Sequence, residues 1–287
     1  MVFFVCTCNP GSESFLKNEV LARKKSAKFA FQSPGFVSFK LESQKHYNPD
    51  ARFVFARTQG LFLQKGGTEP TQSPLGSGFI VDRFEVKPGE FWYYTYKPKT
   101  GDPLTSDAGA SIALPDIAPS RAYLKVEQAL SRVGVPAPKA GLGALEVGCA
   151  PGGAVYALLN RGLSVVGIDR AEMHPIVRKS RGFLQIESPV GSWDFKKDKE
   201  DLQSVRWFLC DMNSQPRIAA RETLKLRQFL APQLQGMIFT MKLNREAFAE
   251  YIDENADLIL KDMKFKHHIV RQLPANQQEV TLIAWND

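Results

Sequence analysis

The stretch that decides the fold is LEVGCAPGGAVYALLNRGLSVVGIDR, which spans residues 145–170. An apolar run enters a cluster of Gly and Pro, a helical stretch follows, and a second apolar run ends at Asp169. This order predicts a strand, a tight turn, a helix and a second strand, which together open a doubly wound α/β domain. The turn of such a unit is where a nucleotide-like molecule is expected to bind.

The turn departs from the dinucleotide-binding fingerprint G-x-G-x-x-G. Gly148 and Gly153 fit the ends of that fingerprint, but Ala150 occupies its middle glycine position. Pro151 is preset for the first turn of a helix, and Gly152 and Gly153 let a ligand approach the backbone. The turn therefore suits a group smaller than a pyrophosphate, such as the methionine part of S-adenosylmethionine.

Two acidic residues flank this turn. Asp169 ends the second strand, 21 residues after Gly148, where it can accept hydrogen bonds from a ribose diol. Sites for NAD and for S-adenosylmethionine share such an acid, so Asp169 alone does not discriminate between them. Glu146 lies within the first strand, and two interpretations stay open: it reaches the charged end of the cofactor, or it is a polar residue near a strand end.

The pattern beyond this stretch predicts a sheet. Further apolar runs indicate strands at 143–149, 163–169, 182–187, 205–211 and 236–243, with helical stretches that include 214–231 and 244–261. The final runs, FKHHIVRQL and EVTLIAWN, are joined by a short turn and must be antiparallel. A mostly parallel, seven-stranded Rossmann-like sheet ending in an antiparallel hairpin is typical of class I methyltransferases, whereas a dinucleotide-dependent oxidoreductase would more often continue with β-α units.

Turn signals divide the chain into three parts. Residues 1–65 indicate a small N-terminal α/β domain. Residues 66–117 indicate a linker and a β-hairpin, because GGTEPTQSPLGS is dense in turn residues and two alternating runs flank KPGE. Residues 118–287 hold the predicted Rossmann-like domain.

Composition and charge bound the partners of the protein. The net charge of +7 and the isoelectric point near 9.2 favour a polyanionic partner such as RNA, although a merely soluble basic protein stays open. The four cysteines form no CxxC pair, so we expect neither a disulfide framework nor a metal site. No signal peptide and no membrane span are expected, which fits a cytoplasmic setting. The sequence leaves the oligomeric state open, with a monomer favoured.

Four charged residues lie at or beside the predicted strand ends. Lys125 is on the helix before the first strand, Asp211 ends the fourth strand, Lys242 ends the fifth and Glu279 begins the last. A lysine that ends an apolar strand is unusual, since Lys is seldom buried without a partner. A surface lysine that reaches out to water is the alternative for Lys242, and each of the four residues is ordinary when taken singly.

Taken together, these four residues resemble the K-D-K-E tetrad of the FtsJ-like ribose 2′-O-methyltransferases. The chain resembles in particular the bacterial 23S rRNA ribose methyltransferase family called RlmM, which modifies a cytidine. The segments that carry the resemblance are APSRAYLKVEQA, GCAPGG with its Cys and Ala exchanged, CDM, KL, CNPGSESFLKNEV and DARFVFAR. The resemblance runs from near residue 1 to the C-terminus and is most specific over residues 118–287.

The resemblance implies methyl transfer from S-adenosylmethionine to a ribose 2′-hydroxyl of RNA, with rRNA as the expected partner. Lys242 is the candidate general base, for which its pKa must fall, and Lys125, Asp211 and Glu279 complete the catalytic set. The cofactor-binding residues expected from the turn and the resemblance are Glu146, Gly148, Cys149, Ala150, Pro151, Gly152, Gly153, Asp169 and Asp211. Arg121, Arg170 and Arg245 are candidates for holding RNA.

Three departures from the family pattern bear on this hypothesis. The middle RNA-binding THUMP region of the family is longer than residues 66–110 can hold. Ala122 stands where the family has a serine that helps to bind the cofactor, and Ser188, beside Glu187, stands where the family has an acid that contacts adenine. Two alternatives therefore stay open: a non-catalytic RNA-binding protein on a methyltransferase fold, or the same chemistry on tRNA or mRNA.

Overall fold

The structure is a computed structural model that describes residues 1–100, 102, 112–243 and 246–287. The described chain divides into two compact units. The first contains the described residues up to Asp102 together with Arg132–Gly134, and the second contains the remainder. Among the described helices, none combines the length and the apolar composition that crossing a bilayer requires.

The first unit is an antiparallel sheet of six strands with one helix of eleven residues. Its strands are ordered β2-β3-β1-β4-β6-β5 across the sheet. The bounds are β1 Val2–Thr7, α1 Glu13–Arg23, β2 Lys28–Ser33, β3 Phe36–Leu41, β4 Thr58–Lys65, β5 Ile80–Lys87 and β6 Glu90–Tyr96. The aromatic rings of Phe31, Phe36 and Phe62 each pack against the ring of Trp92.

The hairpin around KPGE belongs to this same sheet. Strand β5 pairs with β6, and β6 pairs in turn with β4, where Phe62 lies opposite Tyr94. The boundary expected at residue 65 therefore differs from the structure, in which no break in the sheet occurs there. The physical reason is that pairing between strands distant in sequence leaves no local pattern in the sequence. The Gly and Pro residues of this stretch indicate a loop, but they do not show whether the strands on either side of it belong to one sheet. Residues 103–111 of the expected linker lie outside the described residues.

The second unit contains a seven-stranded sheet in the order β12-β13-β11-β10-β7-β8-β9. Strands β7 to β11 are parallel to one another, while β13 is antiparallel to both of its neighbours. The strand bounds are β7 Gly143–Val147, β8 Ser164–Ile168, β9 Phe183–Ile186, β10 Val205–Cys210, β11 Gly236–Lys242, β12 His267–Arg271 and β13 Glu279–Trp285. The predicted mostly parallel sheet with an antiparallel C-terminal hairpin is confirmed.

The helices of the second unit pack around this sheet. Their bounds are α2 Ala122–Leu130, α3 Gly153–Asn160, α4 Pro175–Arg178, α5 Lys199–Leu202, α6 Pro216–Glu222, α7 Leu224–Leu230 and α8 Ile252–Leu260. The core joins residues of α2 and α3 to Trp207, Ile238 and Ile283 of the sheet. Strands covered on both faces read as continuous apolar runs, and all seven residues of β13 are buried.

Two helices predicted from the sequence are shorter in the structure. The stretch 214–231 divides into α6 and α7 at Thr223, whose hydroxyl donates to the carbonyl oxygen of Ala219 at 2.8 Å. A threonine that bonds back to the preceding turn bends a helix. The stretch 244–261 contains a 3₁₀ segment at Glu246–Tyr251 before α8, and residues 244 and 245 lie outside the described residues.

Candidate active site

The four charged residues of the sequence prediction meet at one edge of the seven-stranded sheet. Asp211 directly follows β10, and Lys242 is the last residue of β11. Because β13 runs antiparallel to β11, its first residue, Glu279, lies directly opposite Lys242 in the strand register. Lys125 reaches the same place from α2.

These four side chains form a closed ring, called the charged ring below. The ammonium Nζ of Lys125 lies 2.7 Å from Asp211 Oδ2 and 2.6 Å from Glu279 Oε1. The ammonium Nζ of Lys242 lies 2.8 Å from Asp211 Oδ1 and 2.6 Å from Glu279 Oε2. Each carboxylate thus bridges both lysines, and positive and negative groups alternate around the ring.

Burial makes the charges of the ring depend on one another. Its side chains are only 10% to 17% exposed. Burial alone would raise the pKa of Asp211, but Lys125 and Lys242 outweigh it and lower that pKa. Burial likewise lowers the pKa of Lys242, yet Asp211 and Glu279 outweigh burial, so the pKa of Lys242 is raised. The fall in the pKa of Lys242 that a general base requires is therefore absent from this arrangement of the ring.

The ring lies in a cleft of about 840 Å³ within the second unit. The cleft also borders the glycine turn and the start of α2. Besides the ring, its lining consists of Ser120, Arg121, Ala122, Glu146, Gly148, Cys149, Ala150, Asn213, Ala275, Gln277 and Gln278. A cofactor held by the turn would therefore be next to the charged ring.

Glycine is required in the turn for close packing. Gly148 has a φ of +78°, and a Cβ there would lie 2.9 Å from the backbone nitrogen of Met212. A Cβ on Gly153 would lie 2.2 Å from Ser120 Oγ, and one on Gly152 would meet Met173 at 2.9 Å. Protein atoms therefore fill the space that a side chain would need at residues 152 and 153.

Pro151 does not occupy the first turn of the helix. Helix α3 begins at Gly153, and its N-cap is Gly152, which has a left-handed conformation with φ 111°. The expectation that Pro151 presets the helix is thus corrected by the structure, which places this residue in the turn before the cap. The glycine pair, rather than the proline, makes the entry into α3.

Asp169 and Cys149 hold the turn in place. Asp169 accepts a hydrogen bond from the backbone N–H of Ala150 at 3.0 Å and another from Ala171 at 2.9 Å. The Cys149 side chain points into the core, where Sγ lies 3.7 Å from Met173 Sδ. Cys149 thus offers its backbone to the cleft, and burial raises the pKa of its thiol.

Glu146 forms part of the cleft wall although its side chain is almost fully buried. The residue is 1% exposed, and within the described part of the chain its Oε2 atom has no hydrogen-bond partner. Burial and the charge of Asp211 raise the pKa of Glu146 well above its ordinary value, and Lys125 offsets only part of this. An orphaned carboxyl oxygen in a polar cleft is suited to receive a donor from a bound molecule.

The remaining predicted residues lie in different places. Arg121 is exposed and lines the cleft, whereas Arg170 is exposed without lining it. Arg245 lies outside the described residues. Glu187 and Ser188 follow β9 and do not line the cleft, and the Ser188 hydroxyl donates to the carbonyl of Pro189 at 3.1 Å.

Several lining residues were missed by the sequence analysis. Ser120 lies two positions before Ala122, and its hydroxyl accepts from the Ala122 N–H at 3.3 Å. Asn213 follows Asp211 closely, and Gln277 and Gln278 immediately precede Glu279. These residues lie close in sequence to members of the tetrad, and this proximity could have predicted that they line the cleft.

A comparison with known families agrees with this arrangement. The profile described as FtsJ-like methyltransferase matches residues 118–284, which is more than half of the chain. The chain belongs to the FtsJ-like methyltransferase family. The resemblance inferred from the tetrad and the turn is therefore confirmed, and the oxidoreductase alternative has no support.

Individual relatives of this FtsJ-like chain are ribosomal RNA large subunit methyltransferases M. The protein of that name from Halorhodospira halophila is 31% identical over 177 residues, which cover 60% of this chain and 49% of that protein. The one from Alkalilimnicola ehrlichii is 27% identical over 180 residues, which cover 61% of this chain and 48% of that protein. The chain therefore spans about half the length of the curated relatives it matches.

A solved structure can also be aligned with the chain. The fibrillarin pre-rRNA processing protein of Methanococcus jannaschii gives a TM-score of 0.41 at 11% identity, covering 90% of this chain and 97% of that one. At this TM-score the likeness carries no argument about function.

Proposed function

We propose that the protein is an S-adenosylmethionine-dependent RNA ribose 2′-O-methyltransferase that acts on 23S rRNA. The observation that carries the proposal is the closed ring of Lys125, Asp211, Lys242 and Glu279 beside the glycine turn. Membership of the FtsJ-like family and relatives named as ribosomal RNA methyltransferases support it.

The residues of the cleft fit the proposed cofactor. The orphaned Oε2 of Glu146 is suited to the ammonium group of the methionine part. The backbone of Gly148, Cys149 and Ala150 borders the same cleft, and Asp169 is fixed by the N–H of Ala150. When bound, S-adenosylmethionine supplies a methyl group that its sulfonium makes electrophilic.

Lys242 is proposed to accept the proton of the ribose 2′-hydroxyl. An amine acts as a base only when neutral, and the raised pKa of Lys242 makes the neutral form a minority at pH 7. Asp211 and Glu279 fix the direction of the Lys242 amine through hydrogen bonds of 2.8 Å and 2.6 Å. The ring therefore lowers the population of neutral Lys242 but fixes the position of its amine.

Basic residues near the cleft are proposed to hold the RNA. Arg121 is exposed on the cleft lining, and the net charge of +7 favours a phosphate backbone. Arg170 is exposed beside the residue proposed to hold the cofactor ribose, and Arg245 stays a prediction from the sequence.

The test is methyl transfer from labelled S-adenosylmethionine to unmodified 23S rRNA transcripts and to total RNA. Wild type is compared with Lys242→Ala and with Lys264→Ala, a matched change at an exposed lysine. We expect 2′-O-methylation with wild type and Lys264→Ala, and a rate about 10²–10⁴-fold lower with Lys242→Ala. Mapping of alkali-resistant sites identifies the nucleotide.

Other results would contradict parts of the proposal. Transfer to tRNA or mRNA alone would keep the chemistry and change the acceptor. Cofactor binding by calorimetry without transfer to any RNA would remove the proposed acceptor. Neither binding nor transfer would favour the non-catalytic RNA-binding alternative.

A further inference from the structure

The turn between β12 and β13 is held by buried amide side chains that do not line the cleft. Gln128, Gln272 and Asn276 are 3%, 2% and 3% exposed. None of them belongs to the FtsJ-like tetrad, and each bonds to the backbone of the turn or of its flanking residues. A buried amide that is bonded to the backbone in this way fixes local geometry.

Asn276 links this turn to the charged ring. Its Oδ1 atom accepts from the backbone N–H of Leu273 at 2.6 Å and from the Thr281 hydroxyl at 3.1 Å. Because a backbone N–H donates only to an acceptor, the Asn276 side-chain atom that faces Leu273 N–H must be the oxygen Oδ1 and not the nitrogen Nδ2. The Nδ2 atom of Asn276 therefore donates to Glu279 Oε1, at 3.3 Å.

Gln128 links the same turn to the helix that carries Lys125. Gln128 lies three residues after Lys125 on α2, and its Oε1 atom accepts from the backbone N–H of Ala275 at 2.7 Å. The contacts then form a closed path: from α2 through Gln128 to Ala275 and Asn276, then to Glu279, and back to α2 through Lys125.

We propose that Gln128 is a positioning residue, which sets the separation between Lys125 and Glu279 by holding the turn against α2. Without the Gln128 contact, the Ala275 N–H would be buried and unpaired, so the turn would shift to satisfy it. Glu279 follows the turn through Asn276, and Lys125 would lose one of its two carboxylate neighbours. The consequence for methyl transfer rests on the proposed function, but the consequence for the lysines does not.

The test measures the reactivity of the ring lysines directly. Trace acetylation with acetic anhydride, read by mass spectrometry of peptides, reports how readily the amines of Lys125 and Lys242 react, without cofactor or RNA. We expect Gln128→Ala to increase acetylation of Lys125 about three- to tenfold relative to Lys242. Lys125 loses its contact with Glu279 when the turn moves away from α2, whereas the pairing of β13 with β11 keeps Glu279 opposite Lys242.

The matched control is Gln272→Ala. Gln272 is buried in the same turn, where its Nε2 donates to the carbonyl oxygen of Gln277 at 3.0 Å, and it is not a neighbour of the ring lysines in any contact above. An unchanged Lys125 to Lys242 ratio in Gln128→Ala would overturn the proposal, as would an equal change in Gln272→Ala. If Gln128→Ala does not fold, Gln128→Asn replaces it, since a side chain one methylene shorter cannot reach Ala275.

Methyl transfer by the same variants separates the two proposals. With an active wild type, Gln128→Ala should lower kcat and leave the KM for S-adenosylmethionine within twofold, because the residue does not line the cleft. An inactive wild type whose Lys125 acetylation still responds to Gln128 would contradict the proposed function and leave the positioning role standing.

Discussion

Each unit of the molecule contains a buried polar cluster, and the two clusters differ in charge and in place. In the first unit, the hydroxyl oxygens of Thr7 and Thr58 lie 2.6 Å apart, and Tyr94 OH lies 2.7 Å from that of Thr58 and 3.1 Å from Asp82 Oδ2. This hydroxyl chain sits in the interior of the antiparallel sheet. In the second unit the charged ring sits at strand ends and faces a cleft.

The difference bears on the role of each cluster. Hydroxyls both donate and accept, so the hydroxyl chain satisfies itself without any charge at Thr7, Thr58 or Tyr94. Burial and the neighbouring Asp82 raise the pKa of Tyr94 well above its ordinary value, so it keeps its proton. Buried ion pairs often contribute less stability than apolar residues of the same volume. A ring of four charges that opens to a cleft is therefore better explained by chemistry than by stability.

The largest expected effect tests whether the two lysines of the ring differ. Arginine keeps the positive charge but cannot be deprotonated in a protein, so Lys242→Arg should lower the rate of methyl transfer about 10²–10⁴-fold. Lys125→Arg, the matched change on the other side of the ring, should lose less than about tenfold. Single-turnover rates at saturating cofactor measure both, and equal losses would remove the assignment of the base to Lys242.

The pH dependence of the wild type sharpens the same point. At any pH below the pKa of Lys242, the neutral fraction of its amine increases about tenfold when the pH rises by one unit. The pKa of Lys242 is raised, so this increase extends to high pH. We expect the single-turnover rate to increase in this way from pH 6 through pH 9. A plateau that begins below pH 8 would mean that a group other than Lys242, or a step other than proton transfer, limits the rate.

Glu146, which lines the cleft beside the charged ring, allows a test by protein stability. Its folded pKa lies above its unfolded value, so the unfolded chain loses this proton first as pH rises. Wild type should then lose up to about 1.4 kcal/mol of unfolding free energy per pH unit above about 4.5, until the pH passes the folded pKa. Glu146→Gln should remove that decline in urea unfolding at pH 5 and pH 7. If the unfolding free energies of wild type and Glu146→Gln changed with pH in the same way, Glu146 would be ionised in the folded protein.

The smallest expected effect concerns the hydroxyl chain. Thr58→Val keeps the shape of the side chain and removes the oxygen shared by Thr7 and Tyr94, so the unfolding free energy should fall by about 1 kcal/mol. The kcat for methyl transfer should stay within twofold. Urea unfolding and the transfer assay measure the two quantities, and a large loss of kcat would mean that this cluster also serves catalysis.

The parts of the fold that follow from the sequence share a local signal. The run from Leu145 to Asp169 alternates apolar strands with a glycine turn and a helix, so β7, α3 and β8 follow from nearest neighbours. The carboxyl ends of parallel strands meet at one edge, which brings Asp211 and Lys242 together once the strands are known. Glu279 follows because a short turn forces its strand to be antiparallel.

What the sequence did not predict depends on distances or on distant partners. The sign of the Lys242 pKa shift is set by contacts of 2.6 Å and 2.8 Å that no spacing of residues determines. The pairing of β4 with β6 joins segments separated by a loop and by strand β5. The break at Thr223 arises from one hydroxyl that turns back on its own helix, against a pattern that otherwise favours one continuous helix.

The pairing of Lys242 with Glu279 across β11 and β13 has a consequence for how the site can fail. The two strands match residue for residue from Gly236 opposite Trp285 to Lys242 opposite Glu279. Neighbouring residues of a strand face opposite sides of the sheet, so a slip of one position would turn Glu279 away from the lysine altogether. A chain in which β13 pairs one position out of register with β11 therefore lacks the charged ring altogether, instead of having a weakened one.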